Sequence, residues 1–406
     1  MPEGYKKTKA GVIPNEWKLC TISDCLEKVD NPVSVEADTV YTQIGIRSHG
    51  KGLFYKEPVT GKELGNKSVF WIEPNCFVLN IVFAWEQAFG QTTNNEVGMI
   101  ASHRFPMYRP INNSVDLDYL ICYFLTKRGT DILDAASPGG AGRNRTLGQD
   151  RFIKSKIMLP PLAEQVKIAE ILSAQDKLIA LKEKLIEEKK RQKKALMQQL
   201  LTGKKRLLGF SSEWKKQKMS DILCERKEEN KDQSLRICSV AVNSGVVDQR
   251  EHLGKSMAAS DTSNYNVVHY GDIVYTKSPT GAFPYGIVKQ SQLTENVAVS
   301  PLYGVYEPTS YEIGYLLNEY FMYPNNANGY LLPIINKGAK NTINISNATF
   351  ITPSLYLPTN FEEIKKLVQI FKAENKEIEI LQKDLDQEKQ KKKALMQLLL
   401  TGIVRV

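Results

Sequence analysis

The chain has 406 residues, 54 Lys+Arg against 45 Asp+Glu for a formal charge of +9, 42% hydrophobic and 24% charged residues. That balance fits a globular protein of two to four domains at roughly 100–200 residues each, and excludes a disordered or low-complexity polymer. No apolar run reaches about 18 residues and the opening MPEGYKKTKAGVIPNEW has no apolar core, so no spanning helix and no secretory signal are expected, and the expected compartment is the cytoplasm.

In chain order, residues 20–155 carry short apolar runs (69–72, 76–83) broken by Gly, Pro, Asn and Ser, with one helical stretch at 116–128. This texture predicts an α+β block of strands and loops. After Pro160 and Pro161 no Gly or Pro occurs until Gly203, so a single long helix is predicted, with Gly just past its end. Apolar residues fall seven apart at Ile171, Leu178 and Leu185, with Ala174 and Leu181 between. That 3–4 spacing predicts a coiled-coil seam. Residues 217–353 repeat the strand-and-loop texture (266–275, 298–306), with a helical stretch at 310–323. A second long helix is predicted after Pro358, its stripe formed by Ile364, Phe371, Ile378 and Leu385 with Leu367 and Leu381 between. Each helix, about 38 residues long, would run to roughly 57 Å.

The two halves are copies. KKALMQQLLTG at 193–203 returns as KKALMQLLLTG at 392–402, and Ala174-Gln175-Asp176-Lys177 is answered by Ala373-Glu374-Asn375-Lys376 at the same distance. Tyr119-Leu120 matches Tyr315-Leu316, and Glu16-Trp17-Lys18 matches Glu213-Trp214-Lys215. The helices are well matched and the blocks before them are not. The simplest pairing is between the two helices of the chain, antiparallel, with one block at each end.

Catalytic patterns are scarce. The glycines around Ser137-Pro138-Gly139-Gly140-Ala141-Gly142 are followed by Arg143-Asn144 rather than Lys-Ser/Thr, so a phosphate-binding loop is not expected. The four histidines and six cysteines show no ligand spacing; no metal site is predicted and the cysteines read as reduced thiols. Asn31-Pro32-Val33-Ser34 lacks the second proline and the aromatic of an amino-methylating tetrad. What recurs instead is basic and amide-bearing loops: Gly142-Arg143-Asn144-Arg145-Thr146 is answered by Lys340-Asn341-Thr342, and Arg47, Ser48 and Lys51 and then Lys277, Ser278 and Thr280 stand in further polar loops. Arg and Lys suit phosphates or guanine, Asn suits adenine, and Thr suits the thymine methyl, so these are candidate DNA contacts. For any one loop taken alone, solvated turn chemistry is the stronger reading, and it is the recurrence of the Arg/Lys-Asn pair in both halves that raises the odds. The basic runs at 189–194, 204–206 and 389–393 suit a DNA backbone or a subunit contact.

The opening Gly11-Val12-Ile13-Pro14 with Trp17, the helix start Leu159-Pro160-Pro161-Leu162-Ala163-Glu164-Gln165 and the twin ALMQ…LLTG helix ends resemble the DNA-specificity subunit of type I restriction–modification systems over essentially the whole chain. Leu357-Pro358-Thr359-Asn360-Phe361-Glu362-Glu363 departs from the helix-start pattern, lacking the second proline and the glutamine. The resemblance implies an α+β fold of two tandem target recognition domains, at 1–158 and 206–356. Each is followed by a long helix, at 159–205 and 357–406, and the two helices pair as an antiparallel coiled coil. It implies a non-catalytic subunit that reads a bipartite duplex DNA target, one half-site per domain, with the helices fixing the spacing. Ile171, Leu178, Leu181, Leu185, Phe371, Ile378, Leu381 and Leu385 would form the seam and the docking surface for two modification (adenine methyltransferase) subunits, which restriction subunits would join. S-adenosylmethionine, ATP and Mg would bind those partners and not this chain, and no membrane would be involved. A standalone two-headed DNA-binding protein and a catalytic fusion remain as alternatives at this point.

Overall fold

The computed structural model describes residues 4–8, 11–139, 145–254, 260–337 and 343–406. The chain divides into two compact units, Met1–Lys184 with Lys383–Val406, and Leu185–Gln382.

The first unit is organised by a four-stranded antiparallel sheet in the order Phe89–Gln91, Phe77–Leu79, Met107–Pro110, Leu26–Val29. One face is closed by Leu117–Phe124, Lys127–Ala136 and Gln149–Ile153. Aromatic packing holds the layers together: Phe77 stacks on Phe124 at 5.3 Å and on Phe152 at 6.3 Å between centroids. The single helix predicted over 116–128 is two helices. Asp116 caps the first by accepting from the Tyr119 amide, and Thr126 caps the second by accepting from the Gly129 amide. Gly129 allows the sharp junction, because a Cβ there would lie 2.4 Å from the Phe124 backbone.

The second unit repeats the sheet strand for strand, in the order Val288–Gln290, Ile273–Tyr275, Gly304–Pro308, Leu223–Glu225. Tyr311–Phe321 and Pro324–Leu331 cover it. Phe350 takes the place of Phe152, stacking on Tyr275 at 4.6 Å and on Tyr306 at 4.9 Å. Away from this shared sheet the units differ. The second carries another four-stranded sheet in which Ile237–Ala241 runs parallel to Val297–Val299, where the first has separate two-stranded pairs.

The long helices are Leu162–Leu201 and Phe361–Leu400. In the first unit the start of one packs on the end of the other. Gln175 donates to Glu388 at 2.7 Å, Lys182 to Asp384 at 2.5 Å, and Lys392 to Asp176 at 2.5 Å. In the second unit Lys189 pairs with Glu377 at 2.5 Å and Lys193 donates to Asn375. In both units the numbers rise along one helix as they fall along the other, so the pairing is antiparallel.

The seam on the first helix is not the leucine stripe. Leu178, Leu181 and Leu185 are 37%, 65% and 44% exposed, and Ile171 is only half-buried. The inward positions include Ile168, Leu172, Gln175, Ile186, Lys193 and Met197, with Ile179, Lys182 and Lys189 half-buried between them. This is the same 3–4 spacing shifted by one residue, a turn of about 100° around the helix. The cause is charge matching: Asp384 and Glu388 face Lys182, and Glu377 faces Lys189. On the second helix Phe371 and Leu385 are buried, and Ile378 and Leu381 half-buried.

Candidate nucleic-acid interface

In the first unit three loops meet beside the hairpin formed by Phe77–Leu79 and Phe89–Gln91. The hairpin loop, residues 80–88, folds on itself through the Asn80 side chain, which accepts from the Val82 amide at 3.1 Å, and through Gln87 in the left-handed region at φ 60°. Residues 47–52 form the second loop, closed by Arg47 N to Gly52 O at 2.9 Å. The two are zipped together: His49 and Gly50 amides donate to Glu86 and Gln87 carbonyls at 2.8 and 2.9 Å, and Ser48 Oγ donates to the Glu86 carboxylate at 3.2 Å. Gly50 has φ 63°, the left-handed region that favours glycine, and a Cβ there would lie 2.3 Å from the end of the Leu125 side chain, which would have to move aside. The third loop joins through Leu147 N to Ile81 O at 2.8 Å and through Arg145, whose guanidinium lies 5.3 Å from the Trp85 ring centre.

The fold therefore gathers Arg47, Ser48, Lys51, Arg145 and Thr146 around residues 80–88. They are not equivalent. Arg47 and Lys51 are exposed, Arg47 resting 4.9 Å over the Phe54 ring. Arg145 is tied to Asp134 at 2.7 Å and to the Ser137 carbonyl at 3.2 Å, and Thr146 is exposed. Arg143 and Asn144 lie outside the described residues.

In the second unit Lys277, Ser278 and Thr280 lie in the loop between Ile273–Tyr275 and Val288–Gln290, the topological counterpart of residues 80–88. The loop is pinched by reciprocal Thr280 and Phe283 backbone bonds at 3.0 and 2.9 Å. Gly286, at φ 95°, closes it where a Cβ would strike the Thr276 carbonyl at 1.8 Å. Ser278 and Thr280 are exposed. Lys277 is half-buried, and desolvation pulls its ammonium below the usual lysine range against the opposing charge of Glu225. Lys340, Asn341 and Thr342 lie outside the described residues, between the paired strands Asn336–Lys337 and Ile343–Asn344.

Sequence reasoning missed Phe83, Trp85 and Glu86. The signal was available in the repeat: aligning the strand before Lys277 with the strand before Asn80 marks both loops. Among the described residues no cluster of His, Cys, Asp and Glu could hold a metal ion, and no helix is long and apolar enough to cross a membrane. Burial pushes the Cys76, Cys122 and Cys238 thiols up to about 11, away from nucleophilic use at neutral pH.

Two copies of one sheet-and-helix unit, alike in their long helices and unlike in their loops, define a duplicated scaffold. Residues 16–191 match the type I restriction modification DNA specificity domain. It is similar to the putative type I restriction enzyme MjaX specificity subunit of Methanocaldococcus jannaschii, 26% identical over 215 residues; the match covers 49% of this chain and 49% of that relative. The chain thus spans about half the length of this curated relative. In fold it is similar to the HsdS subunit from Thermoanaerobacter tengcongensis (TM-score 0.58, 14% identity, 97% of this chain and 98% of that one). It is also similar to the type I restriction–modification S subunit from M. genitalium (TM-score 0.54, 13% identity, 98% and 99%).

Proposed function

We propose that the chain is the specificity subunit of a type I restriction–modification complex and reads a bipartite duplex target. The observation that carries this is the shared sheet, which presents the same hairpin loop in both units with different side chains: Asn80, Phe83 and Glu86 in one, Lys277, Ser278 and Thr280 in the other. A duplicated scaffold with unlike loops suits an asymmetric pair of half-sites. The recognition domains would be residues 1–158 and 206–356, with spacers 159–205 and 357–406 fixing the distance between the bound half-sites.

Catalysis is assigned to partners. Two modification subunits would dock on the helices, and restriction subunits would join them; S-adenosylmethionine, ATP and Mg would be held there. The exposed Leu178 and Leu181 support docking, since apolar side chains on an otherwise charged helix face mark an interaction surface. The pseudo-twofold repeat suits two identical partners.

The test is methylome sequencing of the host with and without the gene, and with residues 206–356 exchanged for those of a relative. Loss of N6-methyladenine at one motif with a fixed gap, and a change in one half-site only on exchange, are expected. An unchanged methylome with expressed methylase genes, or both half-sites changing together, would sink the proposal.

A further inference from the structure

The first unit holds a cup beside its hairpin loop. Its volume is about 400 Å³, and half-exposed Phe54, Phe83 and Phe105 line it together with Asn80, Lys56 and Glu86. Phe83 and Phe105 pack against the core around Ile44, Val78 and Met107 while also lining the cup. Phe54 is placed by the strand beneath it. A Cβ on Gly45 would fall 2.2 Å from the Phe54 ring, so this ring position depends on glycine.

The polar groups are also set. Glu86 is anchored at one carboxylate oxygen by Ser48 and at its carbonyl by the His49 amide. Asn80 is 8% exposed and fixed through its carbonyl oxygen to Val82. Such a site offers aromatic surface, a carboxylate acceptor, an amide and one cation. Aromatic faces stack on bases of any sequence, and a carboxylate accepts from the exocyclic amine of cytosine or adenine. An edge read in the groove of an intact duplex needs no aromatic walls. A base lifted out of the stack does. A lysine at the rim suits the phosphate of the same nucleotide.

We propose that this cup receives one unstacked, amine-bearing nucleobase from the half-site bound by the first unit, with Glu86 accepting from the amine. The proposal rests on the reading of the chain as a DNA-recognition subunit. The second unit does not share the cup's side chains, so it serves as an internal control.

The experiment is selection of bound duplexes from a random library by the full chain assembled with its modification subunits, followed by binding to the selected duplex carrying a mismatch opposite each position in turn. Glu86→Gln is expected to reduce discrimination at one position of one half-site by roughly tenfold and to leave the other half-site unchanged. A mismatch opposite that position is expected to tighten wild-type binding several-fold, because less pairing is lost on extrusion. Phe83→Leu should remove that gain while keeping the fold. An unaltered motif with Glu86→Gln, or weaker binding with the mismatch, overturns the proposal and leaves the specificity role standing. No selected motif with the wild-type chain overturns both.

Discussion

Arg405 reaches back along the chain to Glu164, Nε to Oε1 at 2.6 Å and Nη2 to Oε2 at 2.9 Å. Glu164 opens the first long helix, is 5% exposed, and also accepts from the Trp17 indole at 3.2 Å. The second unit repeats this arrangement: Arg206 donates to Glu363 at 2.9 and 2.8 Å, and Trp214 donates to it at 3.3 Å. The carboxylate at each helix start is thus clamped by a tryptophan from the opening of its own half and an arginine from just beyond the end of the other helix. In the first unit Tyr5 adds a bond to the Gly402 carbonyl at 2.9 Å. The end of the chain is a structural part of the unit that begins it.

Removing Arg405 leaves the buried Glu164 carboxylate with one neutral donor. Arg405→Ala should cost the first unit about 1–3 kcal/mol, the penalty of an under-satisfied buried charge. Hydrogen exchange should show lost protection in residues around Trp17 and Glu164 and none in the second unit. Arg206→Ala should give the mirror image. Equal loss of protection in both units from either variant would refute two separate clamps.

The seam and the leucine stripe can be tested apart. Leu181 is 65% exposed, so Leu181→Asp should change stability by no more than about 0.5 kcal/mol, while pull-down with the modification subunit falls sharply. Lys182 faces Asp384 and Glu388. Lys182→Glu should lower the unfolding midpoint, and adding Asp384→Lys should recover part of it. Recovery by the double variant is the decisive result, because a double-mutant cycle isolates the pair.

Much of this was legible in the sequence, and the failures have physical causes. The repeat, the long helices and the strand-and-loop blocks follow from pattern and from Gly and Pro punctuation. The face of the first helix did not, because counting apolar residues favoured Leu178, Leu181 and Leu185 over Gln175, Lys182 and Lys189. Those polar residues belong in the seam only in the presence of Glu377, Asp384 and Glu388, which periodicity within one helix does not reveal. The split at Thr126 needed Gly129 to be recognised as a packing glycine. The loop at 80–88 contains aromatic residues that read as core in a linear chain, and only the hairpin topology turns Phe83 and Glu86 towards the cup.

Lys289 provides a pH prediction for the second unit. It is 4% exposed, and desolvation pulls its ammonium down to about 8, with Glu319 opposing and Lys193 adding to the shift. Its folded value lies below the unfolded one, so between about 8 and 10.4 the unfolded chain binds more protons and stability rises with pH. The rise should total about 3 kcal/mol. Urea midpoints of the second unit measured from pH 7 to 10.5 would show it. Lys289→Met should flatten the rise and stabilise the unit at pH 7. A wild-type midpoint falling across this range would contradict a buried, destabilised ammonium.

The salt dependence of DNA binding should sort the basic residues of the first unit by whether their charge is already engaged. Each phosphate contact releases condensed counterions, so losing one lowers the slope of log K against log salt by about 0.9. Lys51 is exposed, and Arg47 keeps an exposed guanidinium over Phe54. Lys51→Ala and Arg47→Ala should each reduce the slope by about 0.9 and weaken binding almost equally across sequences. Arg145 is neutralised by Asp134 and held beside Trp85. Arg145→Ala should therefore leave the slope near its wild-type value and act instead by loosening residues 80–88, which would appear as relaxed preference at one half-site. A full slope loss for Arg145→Ala with none for Lys51→Ala would mean that the Asp134 pair opens on DNA and that the backbone runs along the third loop rather than the second.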